Sequence, residues 1–167
     1  MSRPPRIKLF SYIGQYRYFL TFCTFNRDCV LADASTVDMV CTQLRRSSEL
    51  NRVAVNVYCA MPNHFHLLAT GLSDTSNVRH FMYDSKQRSG WSFKQQFGCH
   101  LWQEGYYDRV LREEDDPAGV IAYIVNNPIR AKLVTSPADY PFWGSFTHTR
   151  DDILEFIAGV PDWKPPR

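Results

Sequence analysis

The sequence predicts an α+β fold built on one antiparallel sheet, and three observations support this class. Residues 18–26 are rich in aromatic and β-branched side chains, as strands are. Residues 53–61 and 64–70 are two further apolar runs, and the break at Pro62-Asn63 fits a tight turn between them. Longer segments that precede and follow this strand pair carry apolar residues at helical spacing.

The first helix is predicted over residues 34–50. Asp33 can cap its N-terminus, and the apolar residues that follow helical spacing are Val37, Val40, Cys41 and Leu44. A second helix is predicted over residues 76–97. Its expected buried side consists of Val78, Phe81, Met82, Phe93 and Phe97.

A short strand at 107–111 precedes a third helix, which Asp116 can cap and in which Pro117 suits the first helical position. Pro128 disfavours helical geometry at Asn127, so a kink or an end is expected there. The predicted order, β-α-β-β-α-β-α, is the ferredoxin-like pattern with one helix added. Beyond it we expect an aromatic-packed loop at 139–143 and a short helix at 150–158.

Composition limits the class of protein. A chain of 167 residues with 44% hydrophobic and 22% charged residues suits one globular domain. The net charge of +2 is mild, so a nucleic-acid surface would need local clustering of basic residues. No apolar run approaches the ~20 residues of a membrane helix, and the first residues lack the apolar region of a secretory signal. Five scattered cysteines without a Cys-x-x-Cys pair favour reduced thiols and a cytoplasmic location.

His64 and His66 are the most informative residues. Residues i and i+2 of a strand point to the same face, so both imidazoles would project together, with Phe65 on the opposite face. Two imidazoles presented in this way can bind one metal ion. Two unrelated histidines beside a turn are the alternative.

Tyr123 and Asn127 lie four residues apart, one above the other on the predicted third helix. A tyrosine can act as a covalent nucleophile, and an asparagine oxygen can complete a metal site that two histidines begin. Asn126 competes with Asn127 for that role. A tyrosine packed in the core is the alternative for Tyr123.

Three segments together resemble the single-tyrosine HUH transposases, most closely the REP-associated tyrosine transposases. They are Ala60-Met-Pro-Asn-His-Phe-His-Leu-Leu-Ala69, Leu101-Trp-Gln-Glu-Gly-Tyr-Tyr-Asp-Arg-Val-Leu-Arg112 and Ala122-Tyr-Ile-Val-Asn-Asn-Pro-Ile-Arg-Ala-Lys-Leu-Val134. The resemblance extends over residues 18–146. His-hydrophobic-His alone is a weak signal, whereas the three segments in this order and spacing are a strong one.

The resemblance implies an RRM-related, ferredoxin-like sheet with helices on one face and an added C-terminal helix that carries the tyrosine. It implies His64, His66 and Asn127 as ligands of Mg²⁺ or Mn²⁺, and Tyr123 as the nucleophile. Such enzymes cut and rejoin single-stranded DNA, often beside hairpins, through a 5′-phosphotyrosine intermediate. The expected partner is therefore single-stranded or hairpin DNA, with no membrane and with either a monomer or a homodimer.

Basic residues in several segments are candidate DNA contacts. Residues 1–16 form a basic arm, which a frayed terminus would also explain, and residues 17–167 form the domain. The candidates are Arg3, Arg6, Lys8, Lys86, Gln87, Arg88, Lys94, Arg109, Arg112 and Arg130. Tyr83 and Trp91 could stack unpaired bases beside them, although both could instead pack in the core.

Two other functions fit parts of the pattern. A non-catalytic nucleic-acid-binding module on an RRM-like sheet would explain the aromatic and basic residues, but not the histidine pair with Tyr123. A hydrolase that activates water would use the metal without a covalent step.

Overall fold

The computed structural model describes residues 11–164. Its sheet has five antiparallel strands in the order β4-β1-β3-β2-β5, which confirms the predicted α+β class. The strands are β1 Arg17–Cys23, β2 Val53–Met61, β3 His64–Gly71, β4 Tyr107–Val110 and β5 Trp143–Gly144. The helices are α1 Ala34–Asn51, α2 Val78–Phe97, α3 Pro117–Val125, α4 Asn127–Arg130 and α5 Arg150–Phe156. No helix between residues 11 and 164 combines the length and the apolar character that crossing a bilayer requires.

The two faces of the sheet are covered by different helices. Helices α1 and α2 cover the first face, where the buried side chains include Leu20, Phe22, Phe65 and Leu67. Helices α3 and α5 cover the second face, which buries Phe19, Val57, Cys59 and Leu68. The prediction of helices on one face therefore holds for α1 and α2, whereas the helix that carries Tyr123 lies on the opposite face.

Strand β2 contains a bulge at Asn56. Val55 pairs with Ala69 and Val57 pairs with Leu68, so Asn56 is an extra residue in the ladder. Its side-chain oxygen accepts a 2.6 Å hydrogen bond from the Thr70 hydroxyl. The extra residue moves the odd-numbered side chains of β2 from the first face to the second, and Cys59 thereby reaches the face that carries the histidines.

Local signals explain where the helices begin. The Asp33 carboxylate accepts from the backbone N–H of Thr36, as its N-cap position predicts. Helix α2 is capped by Asn77, and it ends at Gly98, which adopts the left-handed conformation. The expectation that Phe97 is buried was wrong: it is 48% exposed because it is the last helical residue before that cap.

The described part of the predicted N-terminal arm is packed on the domain. Tyr12 is buried in the core of the first face, and Ile13 forms a β-bridge with Asn77. Arg3, Arg6 and Lys8 lie outside the described residues. The packed domain therefore includes residues from Tyr12 onward.

Helix α3 begins and ends as its sequence signals suggest. The Asp116 carboxylate accepts from the backbone N–H groups of Ala118 and Gly119, and Pro117 occupies the first helical turn. The break falls at Asn126, one residue earlier than Pro128 suggested, and the short helix α4 starts at Asn127. Asn127 is therefore helical, in spite of the proline that follows it.

Candidate active site

His64 and His66 project from β3 onto the second face of the sheet. Their ring centroids lie 4.8 Å apart and the ring planes are nearly perpendicular. Phe65 points to the first face, where it is fully buried and stacks on Phe22 at a centroid distance of 5.2 Å. The alternation predicted for this tripeptide is therefore present in the structure.

Each imidazole is held through its Nδ1 atom. His66 Nδ1 lies 2.7 Å from the hydroxyl of Thr21, the residue paired with it on β1. His64 Nδ1 lies 2.7 Å from Oδ1 of the neighbouring Asn63. Phe19 also stacks on the His66 ring at a centroid distance of 5.5 Å. These contacts fix both rings, and sequence reasoning had assigned no role to Thr21, Asn63 or Phe19.

Burial keeps both imidazoles neutral at physiological pH. It lowers the pKa of His66 to about 3, with smaller contributions from His64 and Arg130. It lowers the pKa of His64 to about 4, with a smaller contribution from Arg27. A neutral imidazole retains a lone pair, which is the form that binds a metal ion.

The low pKa of His66 predicts loss of stability in acid. The unfolded chain takes up a proton below a pKa of ~6.5, whereas the folded protein resists protonation until about pH 3. Stability should thus fall as the pH drops from 6.5 towards 3. For this buried residue, the free energy of unfolding should fall by about 2 kcal/mol between pH 7 and pH 5.

Urea unfolding in EDTA at pH 7 and pH 5 measures this loss. The His66→Gln variant lacks the titrating group and should lose roughly 2 kcal/mol less than the parent protein over the same interval. Equal losses in the two proteins would show that His66 titrates normally in the folded state.

Tyr123 lies on α3 above the same face of the sheet as the two histidines. Its ring centroid is 6.1 Å from that of His66 and 5.8 Å from that of Phe19. The side chain is half-buried. Tyr123 is therefore neither a fully buried core residue nor a surface residue remote from the histidines.

Tyr123 is also contacted by Arg130, a candidate DNA contact in the sequence analysis, and by Trp163, which sequence reasoning did not identify. The Arg130 guanidinium lies 4.0 Å from the centre of the Tyr123 ring and donates to the Tyr123 carbonyl. Trp163 packs edge-on against the ring at 5.9 Å. Asp162 forms an ion pair with Arg130. Asp162 and Trp163 follow α5 by several positions, and no local sequence signal linked them to Tyr123.

The two asparagines after Tyr123 have different partners. The Asn126 amide nitrogen donates to Asp162 at 2.7 Å. Asn127 is buried, and its amide nitrogen donates to the Tyr123 carbonyl at 3.2 Å. Asn126 is thus held by the C-terminal segment, whereas Asn127 is held by the turn that carries Tyr123.

The donors on this face suit a divalent cation. They are two neutral imidazoles whose Nδ1 atoms already have partners, so Nε2 is the atom of each ring that has no partner named above. The buried Asn127 is the candidate third ligand, because its amide nitrogen is engaged by the Tyr123 carbonyl and its side-chain oxygen is the remaining donor atom. Residues 11–164 contain no group of three or more His, Cys, Asp and Glu side chains that could form a different metal centre.

The candidate DNA contacts differ in exposure and in partners. Gln87, Lys94 and Arg112 are exposed or carry exposed side chains. Arg109 is held in an ion pair by Asp115, at 2.9 Å. Lys86 is half-buried and donates to the carbonyls of Gln103 and Gly105. Arg88 is half-buried on α2, and its Nε atom has no partner among the described residues. Arg130 is engaged by Asp162 and stacks on the Tyr123 ring.

A groove of about 770 Å³ runs between α2 and the segment 100–106. Tyr83 and Trp91 line it and are 63% and 67% exposed, which excludes a core role for both. Basic residues line it as well, namely Arg79, Lys86 and Lys94. Its far wall is joined to the end of β1 and the turn after it, because Gln103 N–H donates to the Cys23 carbonyl and Phe25 N–H donates to the Leu101 carbonyl.

A five-stranded antiparallel sheet with a His-Phe-His strand and a nearby helical tyrosine is the arrangement that the sequence resemblance led us to expect. The family model "Transposase IS200 like" matches residues 12–127, which is most of the chain. The protein belongs to the IS200-like transposase family, as the sequence resemblance predicted.

Two solved structures share the fold. A REP-associated tyrosine transposase bound to a REP hairpin has a TM-score of 0.72 and 22% identity, covering 99% of this chain and 93% of that one. A candidate transposase of Deinococcus radiodurans R1 has a TM-score of 0.51 and 21% identity, and the match covers 77% of this chain and 92% of that one. In sequence, an uncharacterized protein of Haemophilus influenzae is 26% identical in an alignment that covers 76% of this chain and 88% of that protein.

Proposed function

We propose that this protein is a metal-dependent endonuclease and strand transferase for single-stranded DNA, and that Tyr123 is its nucleophile. The observation that carries this proposal is the 6.1 Å separation of the Tyr123 and His66 rings on one face of the sheet. Membership of a transposase family supports it. Because both rings belong to the same chain, we propose that a monomer forms the complete site.

The reaction exchanges one phosphate ester for another. The Tyr123 oxygen attacks the phosphorus and releases its proton to solvent, while the bond from phosphorus to the 3′ oxygen breaks. The departing oxygen takes up a proton and becomes a free 3′-hydroxyl, and the 5′-phosphate stays on the tyrosine. Attack by another 3′-hydroxyl reverses these changes and joins strands without a further energy source.

We propose that His64, His66 and Asn127 hold Mg²⁺ or Mn²⁺. Asn127 is favoured over Asn126 as the third ligand because it is buried and bonded to the Tyr123 carbonyl, whereas the Asn126 amide is turned to Asp162. When bound, the ion supplies Lewis-acid stabilisation of charge on the scissile phosphate. The chain itself orients the tyrosine, because Phe19, Trp163 and the Arg130 guanidinium contact its ring from different sides.

Covalent trapping tests the reaction. Hairpin DNA with an unpaired flank and a fluorophore at its 3′ end is incubated with the protein and Mn²⁺, then analysed on a denaturing gel. We expect a labelled protein band, and peptide mass spectrometry should place the nucleotide on Tyr123. Nicking without any adduct would indicate hydrolysis by water, and binding without nicking would indicate a non-catalytic module; either result overturns the proposal.

We further propose that the groove beside α2 binds the unpaired DNA strand. Tyr83 and Trp91 are eight residues apart, which places them about 12 Å apart along the helix axis. Two exposed rings at this spacing can each stack a base, and Arg79 and Lys94 on the same helix can neutralise phosphates. The REP-associated relative is bound to a hairpin, which supports hairpin or REP-like DNA as the substrate.

Removal of the Trp91 ring should weaken binding of single-stranded DNA. Stacking contributes ~1–3 kcal/mol per base, so Trp91→Ala should raise the Kd roughly 5- to 150-fold. Fluorescence anisotropy with a labelled hairpin that carries an unpaired flank measures this change. Phe156→Ala is the matched control, because Phe156 is 58% exposed but lies on α5, outside the groove. Equal Kd values for the two variants would place the strand elsewhere.

A further inference from the structure

Both candidate metal-binding histidines are held by neutral side chains at the same ring position. His64 Nδ1 faces Asn63 Oδ1, and His66 Nδ1 faces Thr21 Oγ1, each at 2.7 Å. Neither contact involves a carboxylate or a backbone carbonyl. The Nδ1 partner is therefore an amide oxygen for His64 and a hydroxyl for His66.

The two partners constrain the ring protons differently. An amide oxygen only accepts, so Asn63 Oδ1 requires the proton of His64 to be on Nδ1. A hydroxyl can donate or accept, and only acceptance by Thr21 puts the His66 proton on Nδ1. With both protons on Nδ1, the lone pairs of the two rings are on Nε2, the atoms that remain for a shared ligand.

The surroundings restrict rotation of both rings, and that of His66 more strongly. His66 is only 7% exposed and stacks on Phe19 with an interplanar angle of 22°. His64 contacts His66 edge to face. The backbone of Thr21 is positioned by its pairing with His66 in the sheet, and the backbone carbonyl of Asn63 accepts from the backbone N–H and the hydroxyl of Thr24.

We propose that Thr21 and Asn63 are positioning residues that hold His66 and His64 in the Nδ1–H tautomer before any metal ion binds. This inference rests on the proposed function for its purpose, since the freed Nε2 atoms would serve the metal. The tautomers themselves exist in the metal-free protein and are measurable without DNA.

Long-range ¹H–¹⁵N NMR of histidine-labelled protein in EDTA at pH 7.5 distinguishes the two tautomers. His64→Gln and His66→Gln identify the signals among the five histidines. We expect both rings to be Nδ1–H. An Nε2–H pattern for either ring in the parent protein would overturn the inference, whether or not the protein cleaves DNA.

Substitution of Thr21 tests its role directly. Thr21→Val keeps the branched shape that suits a strand but removes the hydroxyl, so His66 should lose its single tautomer. Thr21→Ser retains the hydroxyl and should preserve the parent spectrum. Titration with Mn²⁺, followed by calorimetry, should show a Kd about 10- to 100-fold weaker for Thr21→Val and nearly unchanged for Thr21→Ser.

Asn63 can be tested in the same way. Asn63→Leu should release the His64 tautomer, and Asn63→Asp, which keeps an accepting oxygen, should retain it. Thermal unfolding confirms that each variant is folded. If Thr21→Val and Asn63→Leu keep the parent tautomers and Mn²⁺ affinity, the two residues have no positioning role, and the inference fails even where covalent trapping on Tyr123 succeeds.

Discussion

Tyr123→Phe should abolish DNA cleavage while DNA binding remains unchanged. The substitution removes the attacking oxygen, and loss of a covalent nucleophile lowers rates by on the order of 10⁴-fold or more. The phenylalanine ring keeps the contacts with Phe19 and Trp163, so the fold should be unaffected. Single-turnover cleavage of a labelled hairpin gives the rate, and anisotropy gives the Kd.

Tyr107→Phe is the matched control for this variant. Tyr107 lies on the neighbouring edge strand, pairs with Thr21 and contacts the same Phe19 ring at 6.2 Å. The Tyr107→Phe variant should cleave DNA at a rate close to that of the parent protein. Cleavage by Tyr123→Phe within tenfold of the parent rate would remove Tyr123 from the mechanism.

Phe65→Ala should produce the largest loss of stability among substitutions in the His-Phe-His strand. Phe65 is fully buried and stacks between Phe22, at 5.2 Å, and Tyr58, at 5.6 Å. Removal of a buried phenylalanine ring leaves a cavity and costs about 3–5 kcal/mol. Urea denaturation at pH 7 in EDTA measures the free energy of unfolding without a contribution from bound metal.

An exposed aromatic residue provides the comparison. Tyr83→Ala removes a ring that is 63% exposed, so the free energy of unfolding should change by less than about 1 kcal/mol. A similarly small change for Phe65→Ala would show that the first face of the sheet is not the core that the structure describes.

Local sequence signals predicted the framework of the fold because they act over a few residues. The Asp33 and Asp116 caps lie within three residues of the N–H groups that they bind. The shared orientation of His64 and His66 follows from strand alternation alone. Helix caps and strand alternation depend only on residues close together in the chain, so they can be predicted from the sequence.

The rest of the site depends on contacts between distant segments. Thr21 reaches His66 through strand pairing across 45 positions of the chain, and Asp162 reaches Arg130 across 32. Neither residue belongs to a motif with an intrinsic signal. The family match also ends at residue 127, so Asp162 and Trp163 come from a part of the chain that the matched segment does not include.

The end of helix α3 shows how closely a local rule predicts a helix break. Pro128 was expected to disturb Asn127, because the residue before a proline is pushed away from helical geometry. The chain instead interrupts the helix at Asn126, and Asn127 opens a separate turn. The position of a break was predicted within one residue, but the residue that absorbs it depends on packing around Tyr123.

The extra residue in β2 has a consequence for comparing this protein with its relatives. Val55 and Val57 pair with adjacent residues of β3, so a relative that lacks a counterpart of Asn56 could keep the same pairing on both sides. A single-residue gap at this point of an alignment would therefore mark a natural length difference and not an error. Gaps elsewhere between residues 53 and 61 would turn every later side chain of the strand to the wrong side.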